Sequence, residues 1–197
     1  HVVDKTTKLQ TIFDRIALVD ARIEILVRDA RIRALERRLA GDAQASVDAA
    51  LEAELSALLA DHAFLHRANI GRESFADDDI ARVRALGQRH WIDRAGVRQP
   101  LLTADEVENL TVARGTLTAA ERDVINQHIA STIRMLESLP WPKHLRNVPE
   151  YAGGHHERMD GRGYPRGLTR DEMSWQARMM AIADIFEALT ADDRPYK

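Results

Sequence analysis

Apolar residues recur at alternating steps of three and four along the start of the chain: Leu9, Ile12, Ile16, Val19, Ile23, Leu26 and Ala30. That spacing keeps them on one stripe of an α-helix; a half-buried strand would need alternation at every second residue. Charged residues such as Arg15, Arg22, Glu24 and Arg28 stand beside the stripe, as in a heptad seam. Gly41-Asp42 interrupts the pattern, and Val47, Leu51, Leu55, Leu58 and Leu65 resume it. Two stripes joined by a short polar turn predict an antiparallel helical hairpin. A third helix is expected over roughly 76–90, before a break at Gly96 to Pro100.

The second half is helical but less regular. Thr118 and Glu121 form a T-x-x-E capping box. A helix should run from there to about Leu139, where Pro140 and Pro142 end it. A short helix is expected from His144 to Ala152. A glycine-rich stretch then runs from Gly153-Gly154 to Gly167, and a final helix from near Ser174 to about Ala191. Period-two runs of β-branched residues are scarce, so strand is limited to a minor hairpin. The fold class is all-α, with a soft boundary near 95–115.

Composition excludes several functions. Apolar residues make up 45% of the 197, enough for a sizeable core. Lys and Arg total 28 against 31 Asp and Glu, a net charge of −3. Bulk charge therefore does not favour DNA as a partner, and an anionic ligand would need a local basic cluster. The absence of cysteine removes disulfides, thiolate–zinc sites and thiol nucleophiles. No apolar run of about 18 residues is present, so no segment of this chain is expected to span a membrane. His1 rather than Met at the start reads as a processed or excised chain.

The densest polar cluster is His155-His156-Glu157-Arg158-Met159-Asp160-Gly161-Arg162-Gly163-Tyr164-Pro165. Two imidazoles without thiolates suit borderline divalent metals. Neighbouring residues on a helix point about 100° apart, so such a pair converges poorly on one ion but can serve two adjacent ones. Glu157 could orient a histidine ring. Asp160-Gly161 and Gly163 supply turn geometry, and Pro165 stiffens the exit. A merely solvated polar loop is the competing reading.

Asp184 is the only charge in Met179 to Phe186. A helix apolar all round is expected to be buried. A lone buried carboxylate would cost on the order of several kcal/mol unless a cation or donors satisfied it. A metal is one solution and an arginine partner the other. His128 falls beside Ile125, Ile129, Thr132 and Leu136 at the edge of an apolar face, either as a ligand or as a hydrogen-bonded core histidine. His62 and His66 lie at i, i+4, without an H-E-x-x-H motif, and read as a solvated face. Arg158, Arg162, Arg166, Arg178, Arg194 and Lys197 are donors for an anionic ligand or members of surface ion pairs.

These residues carry a resemblance. His155 to Pro165 reads H-H-E-x-x-D-G-x-G-Y-P, which resembles the signature of the HD-GYP family. Asp184 in A-D-I-F-E-A-L-T, followed by Arg194-Pro195-Tyr196-Lys197, resembles the family's next block. Gly115 through His128 resembles its preceding helix. The resemblance implies an all-helical HD-type phosphohydrolase acting on cyclic di-GMP in the cytoplasm. It implies two or more divalent metal ions, iron or manganese first, zinc or nickel as alternatives. It assigns metal-ligand roles to His128, His155, His156 and Asp184, and phosphate or substrate contacts to Arg194 and Lys197. Tyr164 and Pro165 would lie near the substrate, with the Gly163-Tyr164-Pro165 loop also offering a surface for a protein partner.

The family's His-Asp pair is missing: no H-D dipeptide occurs in the chain. Val2 to Leu9 resembles the stretch just after that pair, so residues 1–8 are expected to be a remnant of the loop behind it. Residues 9–110 are expected to be a helical insertion, the hairpin plus a third helix, and 111–197 the HD-GYP core portion. The family normally continues beyond the point reached at Lys197. On this reading the chain carries about half of the metal shell and is expected to be inactive alone. A non-catalytic signalling or binding module is the alternative. A homodimer through the 9–30 seam competes with intramolecular packing of the hairpin.

Overall fold

A computed structural model of the chain describes residues 10–71 and 74–190. Its elements are helical except for one two-stranded ribbon, which establishes the all-α class. Residues from 8 to 118 and from 119 onward form two compact units, each described by itself.

In the first unit, α1 (Ile16–Leu39) and α2 (Gln44–Ala68) form the expected hairpin. Gly41 makes the turn with φ +95°, a conformation open to glycine and costly for residues with a Cβ. The apolar stripe faces inward. Ile12, Val19, Ile23 and Ala30 are buried, as are Val47, Leu58 and Leu65. Leu9 lies outside the described residues. The seam is thus largely occupied by packing within the chain.

α3 (Asp77–Gly87) carries three aspartates in its first turn, where carboxylates meet the positive end of the helix dipole. The break at Gly96 is the tip of an antiparallel ribbon, β1 (His90–Ile92) with β2 (Arg98–Pro100), in which Trp91 pairs with Gln99. α4 (Ala104–Leu110) follows, and sequence reasoning did not anticipate it. Its start is a capping box: Thr103 accepts from the Glu106 N–H, and Glu106 accepts from the Thr103 N–H. The core gathers Ile12, Val19, Ile23, Phe64, Leu65, Phe75, Val83, Leu86, Leu101, Leu102 and Leu110. Arg22 crosses to Glu106 at 2.7 Å and also donates to the Leu101 carbonyl. Glu106 is 2% exposed, and a charge so buried persists because Arg22 and the capping N–H both satisfy it.

In the second unit, α5 (Ala119–Glu137) starts directly after Thr118 and stops before Pro140. The short helix expected from His144 is a 3-10 turn, Lys143–Leu145, followed by α6 (Val148–Gly153). α7 (Trp175–Thr190) closes the described chain. α6 packs closely on both longer helices. A Cβ added at Gly153 would lie 2.7 Å from an Ile133 carbon, and one at Gly154 would lie 2.7 Å from the Ala177 Cβ. The glycine pair therefore sets the spacing that brings the histidine turn onto α5 and α7.

One expectation is overturned. Met179 to Phe186 is not a buried helix: Met179, Ile182, Ile185 and Phe186 are exposed. Uniform apolarity left the buried side undefined, and the contact with α6 covers only a narrow stripe around Ala177. Trp175 is likewise exposed, with the Arg178 guanidinium 4.9 Å from its ring. Among the described residues, no helix is long and apolar enough to cross a membrane.

Candidate metal centre

His128 lies on the α5 face that holds Ile125 and Ile129, as the helical wheel predicts. His155 and His156 lie in the turn beyond the end of α6 rather than inside a helix. Adjacent side chains in a turn are released from the 100° divergence that a helix would impose. The three residues each bring a ring nitrogen to within 4.8 Å of the other two. Ring centroids are 5.2 Å apart for His128–His156, 4.3 Å for His155–His156 and 6.5 Å for His128–His155.

Backbone carbonyls orient two of the rings. Nδ1 of His128 faces the Ile125 carbonyl, and Nδ1 of His155 faces the Ala152 carbonyl at 2.5 Å. Each Nδ1 must then carry the proton, which leaves Nε2 as the lone-pair nitrogen. The Nε2 atoms of all three histidines are sealed from solvent. His156 Nδ1 lies 3.9 Å from the Asp184 carboxylate, which is 24% exposed. Asp184 is thus beside an imidazole, despite the exposed apolar flank of its helix. Three imidazoles and one carboxylate, without sulfur, form a donor set suited to borderline divalent cations.

The signature loop is built around Glu157, which is 4% exposed. Glu157 was expected to orient a histidine ring. Instead its two carboxylate oxygens accept the backbone N–H groups of Arg166 (2.6 Å) and Leu168 (2.8 Å). The side chain closes the loop on itself. Gly163 passes so near the start of the loop that an added Cβ would lie 2.3–2.6 Å from the backbone of Glu157 and Arg158; only glycine fits there. Asp160 makes the turn by accepting from the Arg162 N–H at 3.0 Å. Tyr164 stacks on His156, with centroids 5.0 Å apart and planes 14° apart. Pro165, joined by a cis bond, is exposed. Glu172 is held below the ordinary carboxylate range by the Thr169 hydroxyl and then by the Thr169 N–H.

The basic residues divide. Arg158 pairs with Asp160 at 3.0 Å, Arg166 with Glu137 at 3.4 Å, and Arg178 donates to the Arg170 and Met173 carbonyls. Arg194 and Lys197 lie outside the described residues.

The comparisons agree with this architecture. Residues 101–197 match the HD domain family model. A 3'3'-cGAMP-specific phosphodiesterase 3 of Vibrio cholerae is 36% identical over 122 residues, covering 61% of this chain and 26% of that protein. A cyclic di-GMP phosphodiesterase of Pseudomonas aeruginosa is 29% identical over 194 residues, 90% of this chain and 44% of that protein. A cyclic di-GMP phosphodiesterase of Thermotoga maritima is 38% identical over 118 residues, 60% of this chain and 29% of that protein. No solved structure matches significantly. The HD domain match and the names of these relatives support an HD-GYP assignment for the chain. It spans less than half the length of these curated relatives.

Proposed function

We propose that this chain is part of a metal-dependent phosphodiesterase that hydrolyses cyclic di-GMP in the cytoplasm, and that His128, His155, His156 and Asp184 contribute its metal ligands. The observation that carries the reading is the convergence of three imidazole nitrogens from two distant stretches of the chain, with Asp184 beside one of them. The family membership and the names of the relatives support the substrate class. Iron or manganese is the expected metal, with zinc or nickel as alternatives. Divalent cations held there would supply polarisation of the phosphoryl oxygens.

The chain's own residues have separable tasks. The Ile125 and Ala152 carbonyls fix the tautomers of His128 and His155, so both rings present a lone pair without rearrangement. Tyr164 holds the plane of His156 by stacking. Glu157 keeps the loop shaped, and with it the position of Tyr164 and Pro165 near the substrate. Arg194 and Lys197 are proposed as phosphate contacts on family resemblance, and the Gly163-Tyr164-Pro165 loop as a docking surface for a protein partner.

The test is hydrolysis of cyclic di-GMP by the intact protein supplied with manganese or ferrous iron, with 3'3'-cGAMP as a second substrate arm. His156→Ala should lower turnover by at least about a hundredfold, the upper end of what losing a mere orienting partner costs. Unchanged turnover in that variant would refute the ligand assignment.

A further inference from the structure

We propose that Asp20, His62 and His66 form a second cation site, on the α1–α2 hairpin, for one borderline divalent metal of the zinc or nickel kind. The sequence shows a histidine pair at i, i+4 that reads as a solvated face. The fold adds what the sequence could not: α1 brings Asp20 across to both rings. One carboxylate oxygen of Asp20 lies 2.9 Å from His62 Nε2 and 2.7 Å from His66 Nε2. The two imidazole centroids are 4.5 Å apart, and the three donor atoms lie within 4.8 Å of one another.

The donor chemistry is selective. Two imidazoles and one carboxylate favour borderline transition metals over magnesium or calcium, which take oxygen-rich shells. Histidines four apart on one helix face are an established chelating spacing for zinc. Bonds of about 2.1 Å to a shared tetrahedral cation place neighbouring donors about 3.4 Å apart. The Asp20 distances are within a small side-chain adjustment of that value. Side-chain exposures of 37%, 38% and 44% leave room for entry and for water on the remaining coordination positions.

The site lies in the insertion, so it is independent of the centre proposed for catalysis. Binding there would tie α1 to α2 through residues 42 and 46 positions apart, stabilising the folded hairpin by mass action.

The experiment uses zinc alone as the probe on the full chain. Bound zinc is counted by equilibrium dialysis for the parent, for His62→Ala/His66→Ala and for His128→Ala. In parallel, the imidazole resonances of His62 and His66 are followed in the parent as zinc is added. The double variant should bind one equivalent fewer than the parent. His128→Ala should keep that equivalent. The His62 and His66 resonances should move together and saturate at one equivalent. A double variant that holds as much zinc as the parent overturns the site and leaves the phosphodiesterase reading untouched. If the double variant fails to fold, the parent's resonances decide: signals unmoved by zinc overturn the proposal.

Discussion

Residues 10–118 bury a much larger set of apolar side chains than residues 119–190. The first unit surrounds one carboxylate, Glu106, with Leu, Ile, Val and Phe side chains. In the second, Ile129, Ile133, Met173 and Ala177 are the main buried apolar residues. The other protected positions include His155 and Glu157, and Ile182, Ile185, Phe186 and Leu189 are exposed. Hydrophobic burial stabilises the first unit at roughly 25 cal/mol per Å² of apolar area. The second places polar groups where packing would otherwise contribute more. A region arranged around convergent imidazoles gives up apolar packing where they meet.

The two buried carboxylates sharpen the contrast. Glu106 answers a full positive charge and a backbone N–H; Glu157 answers two backbone N–H groups. Glu106→Ala leaves the Arg22 guanidinium without its buried carboxylate and removes the side-chain acceptor for the Thr103 N–H at the start of α4. We expect a loss of about 3–5 kcal/mol, measured by urea unfolding. Glu157→Gln sets an amide NH2 against one of the two N–H donors. We expect about 1–3 kcal/mol, with the loop 157–168 exchanging amide hydrogens faster while residues 10–118 are unaffected. If Glu157→Gln costs as much as Glu106→Ala, the claim that the loop clamp is local is wrong. Ile182→Asn, on the open side of α7, should change stability by no more than about 0.5 kcal/mol. A large loss there would mean that this face is covered in the intact protein.

The same contrast decides what could be read beforehand. The hairpin was legible because its apolar stripe and its buried stripe coincide, from Ile12 through Ala30 and from Val47 through Leu65. α4 was missed because seven residues are too few to display a period. Its signal was Thr103 followed by Glu106, the same T-x-x-E pattern recognised at Thr118 and Glu121. In the second unit, the polar motif held two of the three histidines that converge, and the turn after α6 explains why adjacent histidines meet. The apolar run around Asp184 misled, since composition reports that a helix is apolar but not which side another element covers. The clamp of the Glu157 carboxylate on the loop was not legible, because backbone N–H groups nine and eleven residues away leave no mark in a sequence. Asp20 stood outside every motif, and only the crossing of α1 and α2 brings it to the histidine pair.

The link from Arg22 to Glu106 also bears on the order in which the chain acquires structure. Its two ends are 84 residues apart, and closing a loop of that length carries an entropic penalty that short-range helix formation does not. The hairpin can zip up from its own turn at Gly41, whereas the start of α4 is anchored only after that distant closure. α4 should therefore show φ-values near zero while α1 and α2 show higher ones, making the ion pair a latch that sets late in folding.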